Sequence, residues 1–280
     1  GSSANGVAVS ADGKWFASAS GDKTVRVWDL SGGKELTVLS GHGGAVNAVA
    51  ISPDGKLLAS GGDDKLVKIW DTSSWKETGM LKGSSNILSL AFHPEGKLLA
   101  CGEFSQTIKL FELASGKELA SIQAHEGQVR SIAFMPDGKG LLSGGTDKKV
   151  KRWNLESKVA KELASEHSKE VFGVAVSPDG SLVASTGAGK EACVVSVADN
   201  KVLFTLKLNF RARGVAFSPD GKLLAVGIQG PMIQLVDVAG KAATKQLKLT
   251  GNANALVFHP DGKRILVGAG TDVGLCKVGP

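Results

Sequence analysis

The chain has 280 residues and a net charge of +6, with 42% hydrophobic and 21% charged residues, a balance that excludes a disordered polyelectrolyte. No apolar run approaches the roughly 20 residues of a membrane-spanning helix, and Cys101, Cys193 and Cys276 supply neither a disulfide framework nor a C-x-x-C zinc pair. Glycine is the outlier at 37 residues, but with only 8 prolines and no three-residue period a collagen-like rod is excluded as well.

The glycines resolve into a repeat. Pro-Asp-Gly-Lys, or a near copy, places its Gly at 13, 55, 96, 138, 180, 221 and 262, at spacings of 41 or 42 residues. Seven copies at that period predict a solenoid or a propeller rather than a one-core globule. The second unit shows the internal pattern. Asn47 to Ser52 alternates, Pro53-Asp54-Gly55-Lys56 turns, and Leu57 to Ser60 is a short apolar run. Gly61 to Lys65 turns again, Val67 to Trp70 alternates, Asp71 to Ser74 breaks, and a run near Glu77 to Leu81 closes the unit. Four short strands joined by Gly, Asp and Pro turns make an antiparallel meander. Sustained 3.6-residue periodicity is absent, so helix content is expected to be close to nil. One such sheet cannot hide both faces; seven packed around an axis can. The fold class expected is all-β, a seven-bladed β-propeller of four-stranded antiparallel blades, forming one domain over 1–280. Its repeats start near residues 5, 47, 88, 130, 172, 213 and 254.

The residues Gly41-His42 … Ser60 … Asp64 … Trp70-Asp71 resemble the WD40 repeat, of the short-looped style found in bacterial members, and the resemblance covers essentially the whole chain. In that family a His, a Ser or Thr, an Asp and a Trp form a buried hydrogen-bond network within a blade. The resemblance implies such networks at His42, Ser60, Asp64 and Trp70, and at His125, Ser143, Asp147 and Trp153. The first repeat keeps Ser18, Asp22 and Trp28; the third has Cys101, Ser105 and Phe111; the fifth keeps His167 and Ser185 but has Gly189 and Val195; the last two lose the pattern. Loss of a satisfied buried network leaves apolar packing alone to hold a blade, so blades 5–7 are expected to be less rigid than blades 2 and 4.

Catalytic readings fail on pattern. A Ser/His/Asp set that recurs in two repeats reads as structure, since a hydrolase needs one site. Gly187-Ala188-Gly189-Lys190-Glu191 lacks the first Gly and the hydroxyl residue of a phosphate-binding P-loop and falls at a repeat turn. His93 and His259 stand at the Ser position of their Pro-Glu-Gly and Pro-Asp-Gly turns and read as turn residues. No catalytic residue, cofactor site or metal site is expected.

The resemblance implies that partners dock on the face formed by the loops entering each innermost strand and by the turns between second and third strands. Counting eight residues back from each repeat Gly gives Asn5, Asn47, Leu88, Arg130, Phe172, Arg213 and Asn254 at the channel mouth. Arg and aromatic residues dominate interface energies, so a protein or peptide site is expected around Leu88, Arg130, Phe172, Arg211 and Arg213, with Phe210 and Glu170 enlarging it. A mouth merely filled by these side chains is the competing account. On the opposite rim, Trp75 is either an exposed anchor or packed on its own blade. The expected function is a non-catalytic interaction scaffold. A nucleic-acid-binding platform is the alternative: residues 1–140 carry −1 and residues 141–280 carry +7. A propeller enzyme is a remote third.

The last repeat is about one strand short, so its blade is expected to have three strands with Asp272 to Val278 as an open edge. The chain does not begin with Met and Gly1-Ser2-Ser3 reads as a cloning remnant, which favours a segment of a longer protein. The three cysteines sit in apolar stretches and fit buried thiols in a reducing, cytoplasmic setting.

Overall fold

The computed structural model describes residues 2–279 and, among these, every regular element is a strand. Blade 1 comprises β1 (Ala4–Val9), β2 (Trp15–Ser20), β3 (Val25–Asp29) and β4 (Glu35–Leu39); blade 2, β5 (Val46–Ile51), β6 (Leu57–Gly62), β7 (Leu66–Asp71) and β8 (Glu77–Lys82). Blade 3 comprises β9 (Ile87–Phe92), β10 (Leu98–Glu103), β11 (Thr107–Glu112) and β12 (Glu118–Gln123); blade 4, β13 (Val129–Phe134), β14 (Gly140–Gly145), β15 (Val150–Asn154) and the short β16 (Ala160–Glu162). Blade 5 comprises β17 (Val171–Val176), β18 (Leu182–Gly187), β19 (Glu191–Ser196) and β20 (Lys201–Lys207); blade 6, β21 (Ala212–Phe217), β22 (Leu223–Ile228), β23 (Met232–Asp237) and β24 (Ala242–Lys248). Blade 7 has three strands, β25 (Ala253–Phe258), β26 (Arg264–Ala269) and β27 (Asp272–Lys277). Each innermost strand packs on the next and β25 packs on β1, closing the ring. The seven blades and the three-stranded last blade are those the repeat arithmetic predicts.

The repeated turn has a chemical basis. In Ser52-Pro-Asp-Gly-Lys, Ser52 Oγ donates to Asp54 Oδ1 at 2.6 Å and accepts the Leu57 amide at 2.9 Å, while Gly55 takes the left-handed conformation (φ 71°). The same wiring recurs at Ser10/Asp12, Ser177/Asp179 and Ser218/Asp220. Where His replaces the Ser, the turn gains a second role. His93 Nδ1 accepts the Glu95 amide, which leaves Nε2 as the donor to the Gly138 carbonyl of the next blade at 3.0 Å. His259 does the same from blade 7 to blade 1, through Gly13 O at 3.0 Å. These turns therefore clip neighbouring blades together.

The core is a set of wedges between adjacent blades rather than one mass. Ala17 and Val27 of blade 1 pack on Val49, Leu58 and Trp70 of blade 2, and equivalent clusters follow around the ring. At the seam between blades 7 and 1 the buried members are Phe16, Leu30 and Leu266. In the other six blades the first interior residue of the third strand faces an aliphatic partner at the end of the fourth, as Val67 faces Leu81 and Ile233 faces Leu247. Val273 of β27 is the equivalent residue and is only half-buried. A groove of about 630 Å³ opens there, lined by Phe16, Trp28, Leu30, Val273 and Leu275. Trp75 is half-buried rather than an exposed anchor: it packs on the wedge shared by blades 1 and 2, with Trp15 of blade 1 edge-on at 5.2 Å between ring centroids, from a left-handed backbone position (φ 57°). That inter-blade contact offsets the cost of placing a bulky residue there.

Candidate functional site

Two constellations carry the polar chemistry: networks inside the blades and a ring at the channel mouth. In blade 2, the His42 ring bridges Asp64 Oδ2 (Nδ1, 2.8 Å) and Ser60 Oγ (Nε2, 2.8 Å), and Trp70 Nε1 donates to the same hydroxyl at 2.9 Å. Blade 4 repeats this with His125, Asp147, Ser143 and Trp153, at 2.7–2.9 Å. The Gly43 and Glu126 amides also donate to the two carboxylates, tying the loop before each innermost strand to the turn after the second. Burial pushes the His125 imidazole below its ordinary 6.5, offset in part by Asp147. Blade 1 retains the Trp28-to-Ser18 bond at 3.0 Å.

Two members of this system are invisible to the repeat pattern. In blade 3 the His position is Gly83, and the vacated space holds the fully buried carboxylate of Glu103, which accepts the Ser84 amide at 2.9 Å and the Ser105 hydroxyl at 2.8 Å. A Cβ on Gly83 would meet Glu103 Oε1 at 2.8 Å, so the glycine is the counterpart of the acid. In blade 5, Glu191 replaces the missing Asp and takes the Ser168 amide and hydroxyl at 2.9 and 2.8 Å. His167 still reaches Ser185 at 2.7 Å, but His167 Nδ1 and Glu191 Oε2 are buried without partners. The signal in the sequence is a Glu within two residues of the expected Asp, paired with a Gly at a network position.

The channel mouth is a cavity of about 900 Å³ that gathers all seven residues found by counting back from the glycines. The ring divides in two. Asn5, Asn47 and Asn254 turn their amides onto backbone carbonyls of the next blade, at Val46 (3.0 Å), Ile87 (3.1 Å) and Ala4 (3.4 Å). Leu88, Arg130, Phe172 and Arg213 leave the other half of the ring without such stitches. Arg130 and Arg213 both stand over the Phe172 ring, their Cζ atoms 5.8 and 5.6 Å from its centroid. Arg130 is half-buried and its Nε has no hydrogen-bond partner. Burial, then the like charge of Arg213, lowers the Arg130 pKa, with Glu170 opposing. Arg211, Lys148 and Lys169 complete a basic rim with Glu170 as its one carboxylate, whereas Phe210 lies against Gly230 of blade 6 and is half exposed.

Elsewhere the chemistry is sparse. Cys101 and Cys193 are buried and Cys276 half-buried, and burial pushes all three thiols up. Among the described residues, no group of three His, Cys, Asp or Glu side chains is placed to hold a metal ion, and no helix is long and apolar enough to cross a membrane.

A closed ring of six four-stranded blades and one three-stranded blade, with a His–Ser–Asp–Trp network in blades 2 and 4, defines a repeat propeller of the WD type. The sequence profile of WD40, described as WD domain, G-beta repeat, matches residues 1–29, 33–71, 75–112, 116–154 and 159–202, and the chain belongs to this family. The matches stop before the two blades in which the network positions are lost. No curated protein matches the chain. WD40 propellers generally serve as protein-interaction scaffolds.

Proposed function

We propose that the chain is a non-catalytic platform for a protein or peptide partner, docked at the channel mouth over Leu88, Arg130, Phe172, Arg211 and Arg213. The observation that carries this reading is the placement of two arginines over one partly open phenylalanine, in a cavity large enough for several side chains. A mouth evolved only to be filled would follow its asparagine half, whose polar groups are used up between blades. Arg and aromatic side chains left partly open are the groups that anchor interfaces. The histidine–serine pairs support the non-catalytic part. Ser60 and Ser143 are fully buried, and each hydroxyl is held by both an imidazole and an indole, so neither faces a substrate.

The test is site-specific photo-crosslinking in the cells that make the protein, with the cross-linker at Leu88 or, on the opposite rim, at Lys76. Adducts from Leu88 that disappear in the Arg130→Ala/Arg213→Ala variant are expected. Adducts from Lys76 alone, or adducts from Leu88 indifferent to the arginines, would refute the assignment.

A further inference from the structure

We infer that the segment received at this mouth is an acidic peptide, its carboxylate entering between Arg130 and Arg213 and a neighbouring apolar side chain resting on Phe172 and Leu88; this rests on the platform reading above. The argument starts from unpaired charge. Arg26 holds Asp22 and Glu35, and Arg264 holds Asp261, whereas among the described residues Arg130, Arg211 and Arg213, which share the mouth, have no carboxylate within ion-pairing distance, nor does the separate Arg152 of blade 4. Glu170, the nearby acid, stays out of that range. Two guanidinium groups are thus held over the same aromatic ring, one of them half-buried with an orphan Nε–H. Partial dehydration without a partner is unfavourable for any cation, and like charges raise the cost. A carboxylate placed there relieves both, because a guanidinium offers paired N–H donors matched to its two oxygens.

The shape selects the class of anion. The basic groups converge on one cavity of about 900 Å³ instead of forming a track. A nucleic acid strand needs phosphate contacts spaced along its backbone and aromatic faces to stack successive bases, and Phe172 is the one aromatic lining this cavity. A side chain protruding from an extended or looped peptide reaches Arg130 directly, while its neighbours meet Leu88 and the outer rim at Lys148 and Lys169. The asparagine half of the ring, committed to its own backbone, confines the ligand to blades 3–6.

Fluorescence anisotropy with three labelled probes tests this: a short peptide alternating Glu and Leu, its Gln and Leu counterpart, and a short oligothymidylate. The Glu peptide is expected to bind the whole chain about tenfold or more tightly than the Gln peptide. In Arg130→Ala/Arg213→Ala that preference should vanish, with Arg130→Lys/Arg213→Lys restoring part of it. Arg130→Gln/Arg213→Gln, which keeps the bulk, serves if the alanine variant loses its folded circular dichroism. Equal binding of Glu and Gln peptides overturns the acidic class while leaving the platform reading intact. No binding of the Glu peptide overturns it too. Tighter binding of oligothymidylate with a steep salt dependence overturns it in favour of a polyanion.

Discussion

In blade 2 an imidazole joins a carboxylate to a hydroxyl that also takes an indole N–H, whereas in blade 6 the same four positions hold Leu208, Val226, Gly230 and Val236. Val226 and Val236 are fully buried there, and Leu208 packs against them in the wedge that blades 5 and 6 share. Blade 7 follows blade 6 with Leu249, Val267 and Cys276 in one cluster. In these two blades the replacement is concerted: His, Ser and Trp are lost together, and apolar side chains take all three places. This is the behaviour expected of a buried polar network, which is favourable when complete and worse than an apolar core when half-satisfied. Blade 5 is the intermediate, with His167 and Ser185 kept, the Trp gone to Val195, and two buried polar atoms orphaned.

The largest test of this contrast is the indole. Trp153→Ala should cost about 3–5 kcal/mol in denaturant unfolding, because a buried ring and a hydrogen bond go together. Val236→Ala at the matching site of blade 6 should cost about 2 kcal/mol; equal losses would erase the distinction between the blades. Next in size, Ser60→Ala leaves the Trp70 indole and His42 Nε2 unpaired, at about 1–3 kcal/mol. The concerted change His42→Leu/Ser60→Val/Trp70→Val should cost less than its three single changes summed, and strict additivity would show that the network is not a unit.

A smaller effect lies in pH. Burial lowers the pKa values of His125 and His167 below 6.5, so the unfolded chain binds more protons just below that pH. Stability should then be complete above pH 6.5 and fall as the pH drops beneath it. His167→Asn should flatten part of that slope in thermal melts, and an unchanged slope would mean that blade 5 already accepts the proton. Smallest of all is an ordering: amides of β5–β7 and β13–β15 should outlast those of β25–β27 in hydrogen exchange. The reverse order would show that apolar wedges stiffen blades more than networks do.

The sequence and the structure part company at identifiable places. Strand count, blade phase and the placing of seven residues at the mouth follow from the spacing of the Asp-Gly or Glu-Gly turn, whose left-handed glycine recurs once per blade at 13, 55, 96, 138, 180, 221 and 262. Glu103 and Glu191 escape that logic: each solves the same local problem from a shifted position, and only space vacated by Gly83 or Gly189 makes the solution possible. The pairing of Arg130 and Arg213 over Phe172 spans three blades, so the spacing places the residues on one ring but cannot orient them. The clips from His93 and His259 likewise join turns more than 40 residues apart and appear only once the ring has closed.

The seam between blades 7 and 1 has a mechanical meaning. Its ties are dispersed over the height of the ring: Ala4 N to Gly270 O at 2.8 Å and Asn254 to Ala4 O near the mouth, and His259 to Gly13 O at the far rim. A strand ladder pulled from one end breaks one rung at a time, but ties spread this way share a load applied across them. Under tension the ring should therefore give way at this seam in a single step, as a split hoop, before any blade unravels.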